Sequence, residues 1–147
     1  MDWHDDGLLL SARPYGETAA ILEVFTPAHG RHMGVLPGGA SRSKAAMLQP
    51  GGTLRLTWHA RLDEHIGSFS ADLVQQRAGI LAVPAALHAL GSVAGLLHLG
   101  LPERQPHPRL YGVTVKLLDS MESGTDWGAA YLAWEVLLLE DMGFGLD

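Results

Sequence analysis

Six basic side chains in the first 61 residues are the groups best suited to meet a charged ligand. Arg55, His59 and Arg61 occupy odd positions of the run Thr53–Leu62, so in an extended strand they project from one face. Arg31 opens another apolar run, Arg13 stands just before the turn Pro14-Tyr15-Gly16, and Arg42 and Lys44 follow Gly38-Gly39. Guanidinium and ammonium groups lined along a small barrel track a phosphate backbone, and loop glycines let main-chain N–H groups approach it. Arg13, Arg31, Arg42, Lys44, Arg55 and Arg61 are therefore the candidate nucleic-acid-binding set. The same pattern also describes a merely solvated strand face, and residue types alone leave both readings open. Trp58 shares parity with Leu54 and Leu56 and belongs to a core, whereas Tyr15 and Phe69 remain candidates for exposed stacking platforms.

Other chemistry is thinly represented. His29 and His32 are three apart and Asp63-Glu64-His65 lies further on, all types that bind zinc. His29 falls in a turn and His32 at a strand start, and no third ligand follows at fixed spacing, so the histidines read as scattered surface residues. Gly38-Gly39-Ala40-Ser41-Arg42-Ser43-Lys44 lacks the spacing of a phosphate-binding GxxxxGK[ST] loop. With no cysteine, the chain offers neither a disulfide, a thiolate nucleophile nor a thiolate metal site. The carboxylate pairs Asp5-Asp6 and Glu140-Asp141 lie at an end and on a helix surface. The expectation is a binding protein with no catalytic residue, no metal ligand and no cofactor in this chain.

The 147 residues are 47% hydrophobic and 18% charged, enough apolar material for one ordinary domain or two small ones. A net charge of −6 argues against nucleic acid at first sight. The average hides an asymmetry. From Ser11 to Arg61 there are six basic residues against the two acids Glu17 and Glu23, while from Ala78 onward three basic residues face eight acids. Local charge decides whether phosphates are attracted.

These side chains need a scaffold, and the first half supplies strands. Thr53–Leu62 alternates apolar and polar residues over ten positions, as a half-buried strand does. Gly7–Arg13, Thr18–Thr26, Arg31–Leu36 and His65–Asp72 are shorter runs separated by Pro/Gly turns, and Ser41–Gln49 is long enough for a short helix or a mobile loop. Five short strands in about 70 residues predict a closed barrel of the OB type. The second half predicts helices, making the whole α+β: a barrel over 1–77 and a helical domain over 78–147. Pro84 suits a first helical turn, with a stripe of Leu87, Leu90, Ala94, Leu97 and Leu101. A second helix spans Pro108–Met121 with Leu110, Val113, Leu117 and Met121 on one side. A third spans Trp127–Met142, with Trp127, Tyr131, Trp134 and Leu138 in line and Gly143 as its left-handed terminator. Ala78–Pro102 carries no charge and is long enough for a membrane span, but Pro84, His88, His98 and several glycines favour a buried helix of a soluble domain. Phe144-Gly145-Leu146-Asp147 starts a new apolar segment, so the natural protein is expected to continue.

The residues resemble a known family. Trp3-His4-Asp5-Asp6-Gly7-Leu8-Leu9-Leu10, Arg13-Pro14-Tyr15-Gly16-Glu17-Thr18 and Phe25-Thr26-Pro27-Ala28-His29-Gly30-Arg31 are similar to the opening of RecO DNA repair proteins. So are Gly38-Gly39, Leu48-Gln49-Pro50-Gly51, Ala60–Gly67 and the closing Leu137–Asp147. The resemblance implies an N-terminal OB-fold, a helical domain, and often a zinc-binding cysteine cluster, which would lie beyond this stretch. It implies a cytoplasmic, nucleoid-associated protein that binds and anneals single-stranded DNA. It also implies contact with RecR and with single-strand binding protein, helping to load RecA. A second reading is a protein-interaction module that docks the acidic, Phe-ended tail of single-strand binding protein with little DNA affinity of its own. For that role Arg109 and Lys116, rimming a groove between the Leu87–Leu101 and Leu110–Met121 helices, are the candidate partner-binding residues.

Overall fold

The computed structural model describes residues 1–143, and the closing Phe144–Asp147 segment lies outside them. Five strands, β1 (Asp2–Tyr15), β2 (Ala19–Thr26), β3 (Gly30–Leu36), β4 (Thr53–His59) and β5 (Ser68–Gln75), form a closed barrel in the order β1-β2-β3-β5-β4. This is the five-stranded OB-fold that the strand pattern predicts. All neighbours are antiparallel except β3 and β5, which meet in parallel at the single pair Val35 and Ser68. β1 closes the ring because it is long enough to serve two partners. Its first half pairs with β4 and its second half with β2, and the register shifts between Leu9 and Ser11. That bulge bends one strand round a barrel corner.

The period-two reading of the fourth strand holds through His59: Leu54, Leu56 and Trp58 are buried, and Arg55 and His59 are exposed. With Leu9, Ala20, Leu22, Val24, Leu36 and Phe69 these apolar residues fill the barrel. The strand stops at His59, three residues short of the predicted end. There the carbonyl of Ala60 accepts from the N-terminal ammonium at 2.8 Å, and the chain turns into the loop 60–67. β1 begins five residues before its predicted start, because the polar Asp2-Trp3-His4-Asp5-Asp6 run is held in the sheet by β4.

A short α1 (Arg42–Ala45) sits in the β3–β4 connection, capped where Lys44 N–H donates to Ser41 Oγ at 3.3 Å. After the barrel come α2 (Ala78–Leu81), α3 (Pro84–Gly100), α4 (Pro108–Ser123) and α5 (Gly128–Asp141). α2 is one turn that the sequence pattern does not separate from α3. The buried faces differ in part from the predicted stripes. α3 buries Ala86, Ala89, Leu90, Val93 and Leu97 and leaves Leu87 exposed. A helix with Ala, Leu and Gly on every side has no single stripe to read, and the small alanines go where neighbours approach closest. In α4, Thr114 replaces Val113 on the buried side. Its hydroxyl donates to Leu110 O at 2.7 Å and accepts from the fully buried Trp134 indole of α5 at 2.8 Å. Gly124 and Gly143 end their helices at φ 76° and 92°, the left-handed region that glycine enters freely.

The helices lie on the barrel through a shared apolar layer of Leu8, Leu10 and Phe25 with Ile80, Leu90, Leu97, Leu101 and Leu110. Two buried arginines fasten it. Arg77 donates to Gly51 O at 2.8 Å and Thr53 Oγ1 at 2.9 Å and bonds Asp119 of α4 at 3.0 Å. Arg31 performs the same task from β3.

Candidate nucleic-acid interface

Arg13, Arg42 and Lys44 gather at the hairpin end of the barrel. Arg13 lies near the β1–β2 turn and the other two on α1; Arg13 and Arg42 are exposed, Lys44 half-buried. Among the described residues none of the three has an ion-pair partner. Two hollows flank α1. One of about 240 Å³ is lined by Arg13, Pro14, Ala20, Gly39, Ala40, Ala45 and Leu48. The other, about 340 Å³, runs where β3 and β5 barely meet and is lined by Lys44, Pro37, Ser68, Phe69, Ser70 and Asp72. Three of the loop amides are already committed within the fold. Gly39 N–H donates to Leu36 O, Ala40 N–H to Thr18 O and Ser41 N–H to Gly38 O, at 3.0–3.1 Å. Gly39 is needed for packing, since a Cβ there would stand 2.7 Å from the Cβ of Ala20.

The other three candidates part company. Arg55 is exposed but stands between acids: Asp6 across β1, with an ion pair of 3.5 Å, and Asp72 across β5. His59 is likewise bonded to Asp2, and that bond holds the Asp2 carboxyl below the usual carboxylate range. The β4 face is therefore balanced in charge, not a basic stripe. Arg61 is exposed, in the loop 60–67 that joins β4 to β5. Arg31 is a correction. It is buried, ion-paired with buried Glu23 at 2.6 Å, and its Nε–H donates to Leu101 O at 3.0 Å. The helices cover the β2–β3 surface where it points, so it is an internal tie and leaves the candidate set. The exposed Tyr15 lies at the hairpin end, whereas Phe69 is core.

The end of the barrel near the loop 60–67 holds a constellation that strand patterns do not reveal. A cleft of about 380 Å³ is lined by Trp3, His29, His32, Trp58, Asp63 and Arg104, with Met1, Asp2 and Ala28. Trp3 stacks on His29 with centroids 4.1 Å apart and planes 9° from parallel, and it meets His32 edge-on at 5.2 Å. The two histidines thus flank an indole and do not converge on a metal. Arg104, from the α3–α4 connection, lies over Trp58 at 5.1 Å. Its guanidinium donates to the carbonyls of Asp63 and His65, latching the loop. Burial, with help from Arg104, pushes His32 down to about 4, and burial also lowers His29. His32 is therefore neutral in the folded chain but protonates near 6.5 when unfolded. Stability present above pH 6.5 is lost as pH falls toward 4, by up to about 3 kcal/mol. Urea denaturation across that window should show the loss, and His32→Gln should flatten it. The signal for this site was weak: Trp3 sits in a polar run, and Arg104 lies in a Pro-bounded break.

The family described as Recombination protein O N terminal matches residues 1–77, and the one described as Recombination protein O C terminal matches residues 83–147. The chain belongs to the RecO family. It is 51% identical over 147 residues to a DNA repair protein RecO of Cereibacter sphaeroides, covering 100% of this chain and 62% of that protein. Similarity to the DNA repair protein RecO of Dinoroseobacter shibae is 50% over 148 residues, covering 100% and 61%. For that of Roseobacter denitrificans it is 53% over 147 residues, covering 99% and 61%. The chain thus spans about three-fifths of the length of these RecO proteins.

Two further expectations of the RecO resemblance meet the structure here. Arg109 and Lys116 are both exposed on α4, seven residues apart and so on one side of it. The main helical neighbours of α4 are α2 and α5 rather than α3. Zinc does not fit the residues present. There is no cysteine, and among the described residues no three His, Asp or Glu side chains converge as a metal site. Nor, among these residues, is any helix long and apolar enough to cross a membrane.

Proposed function

We propose that this chain is the strand-holding part of a DNA repair protein that binds single-stranded DNA through its phosphates. The observation that carries this reading is the set of cations without ion-pair partners among the described residues, Arg13, Arg42 and Lys44, around the hairpin end of an OB barrel. Arg61 adds a fourth at the loop end. Phosphate contacts fix a strand without reading it, so most nucleotides are held regardless of base. In the whole protein such binding serves annealing of complementary strands and, with RecR and the tail of single-strand binding protein, loading of RecA. Family membership supports that wider role, for which no catalytic step by this chain is required.

Salt dependence tests the reading. Four phosphates neutralised on a single strand give a slope of log affinity against log salt of about −3, since each contributes roughly −0.7. Between about 50 and 200 mM salt, binding of a labelled strand should weaken roughly sixtyfold. Changing Arg13, Arg42 and Lys44 together to Ala should flatten the slope to about −1 with an unchanged melting temperature. Arg55→Ala should bind as the unchanged chain does, because its charge is already met by Asp6 and Asp72. An unchanged slope in the triple variant would remove the hairpin end from the interface.

A further inference from the structure

Four aromatic rings and one guanidinium line the cleft at the loop end of the barrel, and neither core packing nor contacts to phosphate give the two accessible rings, Trp3 and His29, a task. At about 380 Å³ it falls in the range of small-ligand sites, which run from about 300 to 1,000 Å³ and combine apolar walls with a few fixed polar groups. The accessible walls are Trp3 and His29, with His32 and Trp58 buried behind them; the polar residues are Arg104, Asp63 and Asp2, the last already bonded to His59. Burial holds His29 below its ordinary range, so near neutral pH it adds an uncharged ring beside Trp3. Arg104 is fixed before any ligand arrives. Its backbone is held at φ 65°, unusual for a residue with a side chain, while its N–H donates to Arg31 O at 2.7 Å. Its guanidinium is spread between Trp58 and two loop carbonyls. The loop 60–67 joins β4 to β5, one of the two loops with which OB barrels hold oligonucleotides.

We propose that this cleft receives one unstacked nucleobase of a DNA strand, its ring against the aromatic walls and its exocyclic amine toward the Asp63 carboxylate. Planar rings accept any base face, and a carboxylate accepts a hydrogen bond from the amine of cytosine, which thymine lacks. Arg61, exposed in the same loop, faces the phosphates on either side of that nucleotide. The inference rests on the single-strand reading above but concerns a cleft whose lining includes none of Arg13, Arg42 and Lys44.

The test compares three strands of equal length on the full chain by fluorescence anisotropy: oligo(dC), oligo(dT) and an abasic deoxyribose-phosphate oligomer. Oligo(dC) should bind about tenfold more tightly than the abasic strand. His29→Ala should erase most of that margin while leaving abasic binding unchanged. Asp63→Asn, which keeps the main-chain carbonyl that Arg104 grips, should abolish the preference for dC over dT. Equal affinity for all three strands would overturn the base site and leave phosphate-led binding intact. No binding to any strand would remove both. Displacement by an acidic, Phe-ended peptide, with no effect of removing the bases, would overturn the base site in favour of a peptide site.

Discussion

Replacing Arg31 by alanine is expected to lower folding stability by about 3–5 kcal/mol while leaving the salt dependence of DNA binding unchanged. The substitution strands Glu23, a carboxylate buried beneath the helices, with only the His98 ring, at 2.7 Å, as a partner among the described residues. It also removes the donor to Leu101 O, where α3 ends against the barrel. An unpaired buried charge costs far more than the pair itself contributes, so exchanging both partners for apolar residues should be milder. The double variant Arg31→Met with Glu23→Leu should recover most of the loss, short of the bond to Leu101. Denaturant melts and a strand titration on the same samples check both halves. A stable Arg31→Ala chain that fails to hold DNA would return Arg31 to the interface.

Arg31 also marks where the sequence stops being readable. An arginine after a turn glycine and before an apolar run looks identical whether it faces water or an acid. Its partners, Glu23 on β2 and Leu101 seventy residues later, are brought to it only by strand register and by helices lying on the barrel. Arg55 fails for a related reason. Its parity in β4 is legible and correct, but its neighbours Asp6 and Asp72 come from β1 and β5, and pairing decides the net charge of a face. Local patterns fared better. Alternation in Thr53–His59, turn residues between the strands, and Pro and Gly at helix ends are short-range signals, and they place five strands and three long helices within a few residues. α2 is too short to carry a period, and the apolar surround of α3 hides which face is inward. The loop-end cleft was hidden for a third reason. It takes Trp3 from β1, His29 and His32 from the β2–β3 turn and β3, Trp58 from β4, Asp63 from the loop 60–67 and Arg104 from a helix connection, so no window of the sequence contains it.

Trp58→Ala is expected to cost about 3–5 kcal/mol, the usual loss when a fully packed indole is emptied from a core. Since small proteins are stable by only about 5–15 kcal/mol, the barrel should melt far earlier or fail to hold its shape. The ring is 3% exposed and sits among Trp3, His32 and Phe69, inside the apolar set of the barrel. It also supports the loop 60–67 from below. Its indole N–H donates to Ile66 O at 2.9 Å, and Gly67, at φ 72°, lies so close that a Cβ there would stand 2.5 Å from Nε1. Trp58→Phe separates these roles. A phenyl ring keeps most of the buried area and loses the one hydrogen bond, so it should cost much less, with about 1 kcal/mol from the bond itself. Near-ultraviolet circular dichroism with denaturant titration distinguishes the cases: the Phe variant keeps a cooperative transition, and the Ala variant loses much of its stability. An alanine variant within about 1 kcal/mol of the original would mean that the barrel does not depend on this indole. Trp58 would then be free to serve as a stacking surface for bases, and the division between a core tryptophan at position 58 and a cleft built around Trp3 would have to be redrawn.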